Sequence, residues 1–379
     1  MQQLAEAGDK AAVMRLLYQS YSENLHKAIS LAMGNPKADD KYFDLTQQFK
    51  ANTSHFAAFK AQQATEAIMQ ADSPEQIKAL LNTYNRYQAA EYQVTLMRAT
   101  SGRQFLKFTA DAARNKILPN IKWLPSVSKN RREEHKHFYN KVFAKTDPFW
   151  SRNQPGNLWG CKCSWVETSE PTEQQKGSPL PPDTQSSSGL ESNPAFTGEL
   201  FTDRAGYIAG AGKAEREQAE AFLKPLQQHF DQYLNLAKQP EYRNDYLNFD
   251  WKNGGMMAVS NERIKQGQFN KQEEKKFDKE SNMCKVLFEN GFSVEYLKEI
   301  EKRYDIIANG NPADLKKTAS ANHIVHYAKK AIRKQGAELV VFEFENESKQ
   351  IHVEIQELIK LNIHGLYYFS SDKSKIYEF

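Results

Sequence analysis

Two aspartates and one lysine near the C-terminal end have the types and order that metal-dependent phosphodiester cleavage requires. Asp305 opens an apolar run, and Asp314 and Lys316 follow after a turn sequence. Two carboxylates can hold a hard divalent cation through oxygen, and such a cation polarises a phosphate and lowers the pKa of a bound water. A neighbouring ammonium can orient that water or stabilise the negative charge that builds on phosphorus. These three residues are therefore the candidate reactive groups.

A β-hairpin would bring the three side chains to one place. The apolar run after Asp305 predicts a strand, and Asn309-Gly310-Asn311-Pro312 supplies the turn chemistry that reverses it. On the returning strand Asp314 and Lys316 are two residues apart, so they share one face, while Leu315 points the opposite way into a core. The pattern predicts two carboxylates and one ammonium at a single point.

This arrangement resembles the PD-(D/E)xK nuclease superfamily, and residues 273–379 resemble the tRNA-nuclease toxin domains at the C-terminus of contact-dependent inhibition proteins (the CdiA C-terminal type). In that pattern a helix with an acid, here Glu280, precedes the hairpin. Asp305 matches the first acid, and Asp314-x-Lys316 matches the (D/E)xK element.

The resemblance continues after the hairpin, with a basic helix predicted over 322–335 and a strand over Leu339–Phe344. The chain departs from the pattern twice. An aspartate stands at 314 where glutamate is commoner, and no proline precedes Asp305.

The resemblance implies a C-terminal α/β domain of restriction-endonuclease-like fold that acts on nucleic acid, with tRNA favoured over DNA. It implies that Asp305 and Asp314 bind one divalent ion, Mg²⁺ first and Mn²⁺ or Zn²⁺ as alternatives. Glu280 is a further candidate ligand, with a solvated helix acid as the alternative. Lys316 would position the attacking water or stabilise the pentavalent phosphate. A cognate immunity protein would protect the producing cell.

Positive charge is local in this chain. The formal net charge is only +4, so the whole sequence has no strong electrostatic footprint for nucleic acid. Basic residues do gather beside the candidate site, where they could contact phosphates. They are Lys317, Lys329, Lys330, Arg333 and Lys334. The alternative for the helical members of this set is an ordinary solvated helix face.

Length predicts a multidomain protein, because 379 residues exceed one ordinary domain, and the helical first region together with the implied C-terminal α/β domain makes it α+β. Residues 169–193 are rich in proline, serine, glycine and glutamine, which predicts a flexible tether. Residues 1–168 carry apolar side chains at helical spacing and form the predicted, mainly helical first domain. Residues 194–272 are expected to form an adaptor leading into the nuclease-like domain at 273–379.

The end of the first domain carries a second resemblance. Its elements are an Arg-x-x-His ending at His135, then Asp147-Pro148-Phe149, then Pro155-Gly156, then Gly160-Cys161-Lys162-Cys163. In this order they resemble the phage head morphogenesis domain of the phage Mu head protein F family. The resemblance implies a virion protein that joins portal or capsid proteins during assembly. His135 and Asp147 would then be fold-defining hydrogen-bond partners.

Cysteine usage argues against a disulfide framework. Cys161 and Cys163 are too close for an ordinary disulfide, and Cys284 is the third of three cysteines. A zinc site with His135 and His137 is the alternative, although zinc sites usually separate paired cysteines by two to four residues. The preferred interpretation is a strand end with packed thiols.

The N-terminus has neither a basic start nor an apolar core, and the chain has no apolar run of about 18 residues. These features predict cytoplasmic synthesis without a signal peptide and without membrane insertion. The two resemblances together imply a virion or prophage-derived particle carrying a toxin that acts in the target-cell cytoplasm. The alternatives are a purely structural minor head protein with an inactive C-terminal binding domain, or a DNase.

Overall fold

The computed structural model describes residues 2–129, 133–182 and 185–379. The chain forms two compact units, which we call unit 1 (Met1–Leu223) and unit 2 (Lys224–Phe379). Unit 1 is mainly helical, and unit 2 combines helices with a large sheet. The mixed fold class predicted from the sequence is confirmed at this level.

The first part of unit 1 consists of helices that begin and end at the residues expected from their capping chemistry. They are α1 (Gln2–Glu6), α2 (Lys10–Met33), α3 (Phe43–Met69), α4 (Pro74–Ala110) and α5 (Ala112–Ile117). Asp9 caps α2 by accepting from the Ala12 amide, and Gly34 ends it in the left-handed conformation. Buried side chains at helical spacing, such as Val13 and Leu17, confirm the predicted packing faces.

A small sheet and short helices complete unit 1. In chain order they are β1 (Asn120–Leu124), α6 (Glu133–Lys136), β2 (Val142–Ala144), α7 (Phe149–Arg152), β3 (Ser164–Thr168), α8 (Pro194–Thr197), α9 (Gly206–Ala209) and α10 (Lys213–Ala237), whose second half belongs to unit 2. The sheet is antiparallel in the order β2-β1-β3. Its core contains Trp123, Trp150 and Trp165 together with both cysteines of the Cys-x-Cys pair.

The segment predicted as a flexible tether, 169–193, differs from that expectation at both ends. Near its start the buried Glu173 pairs with Lys141 and Lys176, both at 2.9 Å. Leu190 and Asn193 are fully buried. The buried Arg98 guanidinium donates to the carbonyl oxygens of Leu190 and Ser192, both at 2.8 Å. The composition of this segment indicated too little apolar surface to hold it in one conformation. In the structure, Arg98 satisfies its backbone carbonyl oxygens instead.

Limited proteolysis is expected to cut first between residues 174 and 182, where the chain is mostly exposed. Trypsin should cleave after Lys176, because this exposed residue lies in a turn on the surface. Mass spectrometry of the earliest fragments checks this, and Lys176→Gln should delay the cut. Earliest cleavage within 190–205 would contradict the packing by Arg98.

Unit 2 contains the remaining elements. They are β4 (Asn248–Asp250), β5 (Gly255–Val259), α11 (Asn261–Gly267), α12 (Lys271–Glu289), β6 (Ser293–Tyr296), β7 (Ile306–Ala308), β8 (Asn311–Thr318), α13 (Ile324–Gln335), β9 (Leu339–Phe344), α14 (Lys349–Lys360), β10 (His364–Phe369) and β11 (Asp372–Glu378). The predicted basic helix and the predicted strand over Leu339–Phe344 are both confirmed.

These strands form one mixed sheet in the order β11-β10-β9-β8-β7-β6-β5-β4. The β6–β7 and β7–β8 pairs are antiparallel, whereas β8–β9 and β9–β10 are parallel. One core contains Met283 and Leu287 of α12 with Leu315 of β8. The other contains Ala328 of α13 and Ile355 of α14. Helices therefore cover the sheet with two separate apolar cores.

The structure divides the chain elsewhere than the sequence boundaries suggested. Residues 194–223 of the expected adaptor belong to unit 1, and 224–272 belong to unit 2. β5 pairs in parallel with β6, so the second half of the adaptor extends the sheet of the nuclease-like region. In the part of the chain that the structure describes, every helix is too short or too polar to cross a membrane.

Candidate active site

The β7–β8 hairpin has the turn that the sequence predicts. Ile306 pairs with Ala313 and Ala308 with Asn311. Asn309 and Gly310 have φ values of 47° and 83°, the left-handed conformations that a tight two-residue hairpin turn requires. The hairpin prediction is therefore confirmed, and Asp305 precedes one strand while Asp314 and Lys316 lie on the other.

Asp314 is completely buried beside Lys316. Its Oδ1 accepts a hydrogen bond of 3.0 Å from the amide of Gln335, the last residue of α13. Its Oδ2 pairs with the Lys316 ammonium and has no well-aligned hydrogen bond from the described residues. Leu315 points to the core on the other face, as predicted. The Lys316 ammonium therefore balances the charge of the buried Asp314 carboxylate.

Asp305 lies next to this pair. Its Oδ2 accepts a 2.9 Å hydrogen bond from the Leu315 backbone amide, which fixes the first acid against the middle of β8. Burial and the charge of Asp314 raise the pKa of Asp305 to about 6. The fold thus holds two carboxylates close enough to repel one another.

Glu280 of α12 faces the same region. Its Oε2 accepts from the Tyr296 hydroxyl at 2.6 Å and from Arg263 Nη2 at 3.2 Å. Glu280 is only 7% exposed, so the alternative of a solvated helix acid is wrong. Burial and the charge of Asp305 raise the pKa of Glu280. Glu280 therefore lies near enough to feel the charge of Asp305, while its own carboxylate is held by Arg263 and Tyr296.

A cationic cleft of about 460 Å³ opens beside the acids. Its walls combine five lysines with an acid, an aliphatic and an aromatic side chain. The lining residues are Lys275, Lys276, Lys279, Glu280, Leu315, Lys316, Lys317 and Tyr327. Asp305 and Asp314 are not among the lining residues, and Lys276, Lys316 and Lys317 pair with Glu299, Asp314 and Glu343. The cleft lysines could still contact the phosphates of a ligand.

The basic residues predicted from the sequence divide into two sets. Lys317 pairs with the buried Glu343 at 2.8 Å, so its charge is already balanced. On α13, Lys330, Arg333 and Lys334 are exposed, and Lys329 is half-buried. Their role in phosphate binding stays a prediction.

Asp305 and Asp314 carry carboxylate oxygens, the ligand type that Mg²⁺ and Mn²⁺ prefer. Among the described residues, the ligand atoms of Asp305, Asp314 and Glu280 do not all lie within 4.8 Å of one another, and Glu280 is engaged by Arg263 and Tyr296. Lys316 pairs with Asp314 Oδ2, while burial and the charge of Asp314 raise the pKa of Asp305. A dication between the two aspartates would relieve their repulsion.

Asp305→Asn is expected to make unit 2 more stable in EDTA at pH 7.5. The folded-state pKa of Asp305 is about 6, above the ordinary 3.8, so wild-type stability falls as pH rises through this window. The asparagine cannot ionise, so the free energy of unfolding of the variant should exceed that of the wild type by up to about 2 kcal/mol above pH 6. At pH 4 the two should be almost equal. Urea titration followed by hydrogen exchange of β8 measures it. Asp278→Asn, at an exposed acid of α12, is the control, and an equal gain there would refute the repulsion.

The candidate motif of unit 1 is also assembled. His135 Nε2 bonds Asn157 Oδ1 at 2.8 Å, and its Nδ1 faces the sulfurs of Cys161 and Cys163. Asp147 instead accepts from the Phe149 amide at 2.8 Å, just before α7. His135 and Asp147, which were predicted to be hydrogen-bond partners, thus each bond a different group. The arginine of the Arg-x-x-His element lies outside the described residues.

Known protein families, characterised proteins and solved structures were compared with the chain, and none matches.

Some residues of the site were not identified from the sequence. Lys275 and Lys279 lie four residues apart on the helix that carries Glu280. This spacing places both lysines on one helix face, so the sequence alone could have indicated them as a pair. Arg263 and Tyr296, which orient Glu280, carry no such signal, because they reach it from other elements.

Proposed function

We propose that unit 2 is a metal-dependent endonuclease of the PD-(D/E)xK type with a restriction-endonuclease-like fold. The element order supports the fold. An acid-bearing helix, α12, leads into the antiparallel strands β6, β7 and β8, and a basic helix, α13, then leads into the parallel strand β9. This is the order that the resemblance requires around the acids and the lysine.

The observation that carries the proposal is the buried pair of Asp305 and Asp314 with Lys316 beside Asp314, next to a lysine-lined cleft that Lys316 and Glu280 line. Buried acids that repel one another lower folding stability, so a chain without a use for them has no reason to pair them. Glu280 lies near enough for the charge of Asp305 to raise its pKa.

The chain's own groups would divide the work as follows. Asp305 and Asp314 would hold one Mg²⁺ or Mn²⁺ ion, with Glu280 as a further ligand. When bound, the ion would supply Lewis acidity that polarises the phosphate and lowers the pKa of a water. Lys316 would orient the attacking water or stabilise the charge on the pentavalent phosphate. Gln335 would hold Asp314 in position, and Arg263 and Tyr296 would hold Glu280.

The substrate is proposed to be tRNA, on the strength of the resemblance to contact-dependent inhibition toxins. The lysines of the cleft support a polyanion, and they suit RNA and DNA alike. A toxin of this kind requires a cognate immunity protein, which we propose as a partner.

Unit 1 is proposed to be a head morphogenesis module that associates with portal or capsid proteins. The support is that His135, Cys161 and Cys163, which belong to separate elements of that resemblance, converge in one aromatic core. The module would place the nuclease in a virion or prophage-derived particle.

The full-length chain tests the nuclease proposal when it is incubated with total tRNA and, separately, with plasmid DNA. Cleavage of tRNA in Mg²⁺ that stops in EDTA is the expected result. Cleavage of plasmid alone would favour the DNase alternative. Intact substrates in Mg²⁺ and in Mn²⁺ would favour a structural head protein with an inactive C-terminal binding domain.

Lys330→Gln/Lys334→Gln is expected to weaken RNA binding and to flatten its salt dependence. Each lost phosphate contact should remove about 0.7 to 0.9 from the slope of log affinity against log salt. The turnover rate at saturating RNA should change little, because these exposed groups of α13 would contribute to binding rather than to the reacting phosphate. Filter binding at several salt concentrations measures the slope.

Lys349→Gln/Lys360→Gln is the matched control, since it removes two exposed lysines of α14 in the same unit. An equal change of slope in both double variants would mean that α13 is an ordinary solvated face. The cleft lysines Lys275 and Lys279 would then be the phosphate contacts to test.

A further inference from the structure

We propose that unit 1 contains a zinc site formed by His135 Nδ1 and the sulfurs of Cys161 and Cys163. The three ligand atoms lie within 4.8 Å of one another, and all three residues are buried. His135 comes from α6, whereas the cysteines lie at the entry to β3. The ion would therefore join two segments that β2 and α7 separate in the chain.

The spacing of the ligand atoms is that of a tetrahedral zinc site. With Zn–N of about 2.0 Å, Zn–S of about 2.3 Å and angles of about 109°, nitrogen and sulfur ligands should lie about 3.5 Å apart. The distances from His135 Nδ1 to Cys161 Sγ and to Cys163 Sγ are 3.4 and 3.5 Å. The Cys-x-Cys spacing looked unfavourable in the sequence, yet its sulfurs reach the required positions around this histidine.

The histidine is held in the tautomer that binds metal through Nδ1. Asn157 Nδ2 donates to Ser186 Oγ at 3.2 Å and to the Arg152 carbonyl, so its Oδ1 must face His135. An amide oxygen only accepts, and therefore Nε2 of His135 carries the proton at 2.8 Å. The lone pair of Nδ1 is left directed at the two sulfurs. Such a partner on the second ring nitrogen is usual for zinc-binding histidines.

Two backbone or side-chain N–H groups are placed to stabilise thiolates. The Cys163 amide donates to Cys161 Sγ at 3.4 Å. The fully buried Trp123 indole nitrogen lies beside the Cys163 sulfur and has no other hydrogen-bond partner in the described residues. A buried orphan donor costs stability, and a negatively charged sulfur would satisfy it. Zinc binding releases two thiol protons, so one dication replaces them and the core stays neutral.

A Cys161–His135–Asn157 nucleophile is the competing assignment for these contacts. It leaves Cys163, which lies equally close to Nδ1, without a role. His135 and Asn157 are completely buried, and Cys161 is only 7% exposed, so a substrate could not reach the sulfur without unfolding the core. Burial therefore favours a structural metal site over a nucleophile, with three protein ligands and one coordination position left for a further ligand.

The test is the metal content of full-length, tag-free protein purified without chelator. We expect about one zinc per chain, and Co²⁺ exchange should give the intense visible bands of tetrahedral sulfur coordination. Cys161→Ser and Cys163→Ser should each lower the zinc content at least about tenfold, and Asn157→Ala should weaken zinc affinity about 10- to 100-fold. Cys284→Ser, which removes the buried cysteine of unit 2, should leave it unchanged.

The Co²⁺ spectrum of the wild-type chain keeps the test decisive even where a cysteine variant folds poorly. Absence of these bands, together with zinc below a tenth of an equivalent, would overturn the site. Selective alkylation of Cys161 in the folded chain as purified, with no protection of Cys161 or Cys163 after zinc is added, would overturn it in favour of the nucleophile.

Discussion

Asp305→Asn is expected to lose nuclease activity while keeping the fold. The substitution removes one of the two proposed carboxylate ligands, and the loss of transition-state stabilisation should lower the cleavage rate on the order of 100-fold or more. The amide is close in size to the carboxylate and can still accept from the Leu315 amide, so the hairpin should persist. Rates with tRNA at saturating Mg²⁺ measure the effect.

The gain in stability expected for the same variant in EDTA serves as its folding control. If the variant is inactive but more stable than the wild type, unfolding cannot explain the loss of activity. Asp278→Asn, at the exposed acid of α12, should retain wild-type activity. Full activity in a folded Asp305→Asn chain would remove Asp305 from the site.

Lys316→Ala is expected to cause a loss of similar size by a different route. The lysine pairs with Asp314 and lines the cleft, so its ammonium is placed to act on the reacting phosphate or its water. Its removal should lower the maximal rate on the order of 100-fold or more, with a smaller change in the Mg²⁺ concentration needed for half-maximal rate. Asp305→Asn, in contrast, should raise that concentration.

Lys349→Ala, at an exposed lysine of α14, is the matched control and should keep both quantities. If Lys316→Ala raised only the Mg²⁺ requirement, or only the KM for tRNA, the lysine would have a binding role and not a role in the chemical step.

The local part of the candidate site could be predicted from the sequence. Asn309-Gly310 fixes the turn, because both residues tolerate positive φ. The two-residue period of a strand then places Asp314 and Lys316 together. These predictions needed only neighbouring residues, and the structure confirms the hairpin.

The remaining features depend on distant partners, which composition and spacing do not identify. Arg98 orders the segment around Leu190 from more than 90 positions away. Arg263 and Tyr296 hold Glu280 from two other elements and keep it buried. The parallel pairing of β5 with β6 likewise joins the expected adaptor to unit 2.

The chemistry of the cleaved ends tests the central proposal most directly. EDTA-treated full-length chain is given total tRNA, then Mg²⁺ is restored and the new termini are analysed. Water activated at a metal-carboxylate site should leave 3′-hydroxyl and 5′-phosphate ends, or their reverse, and only after Mg²⁺ is added. Cleavage in EDTA that leaves 2′,3′-cyclic phosphate ends would mean attack by the RNA's own 2′-hydroxyl, and it would contradict a metal-dependent site at Asp305, Asp314 and Lys316.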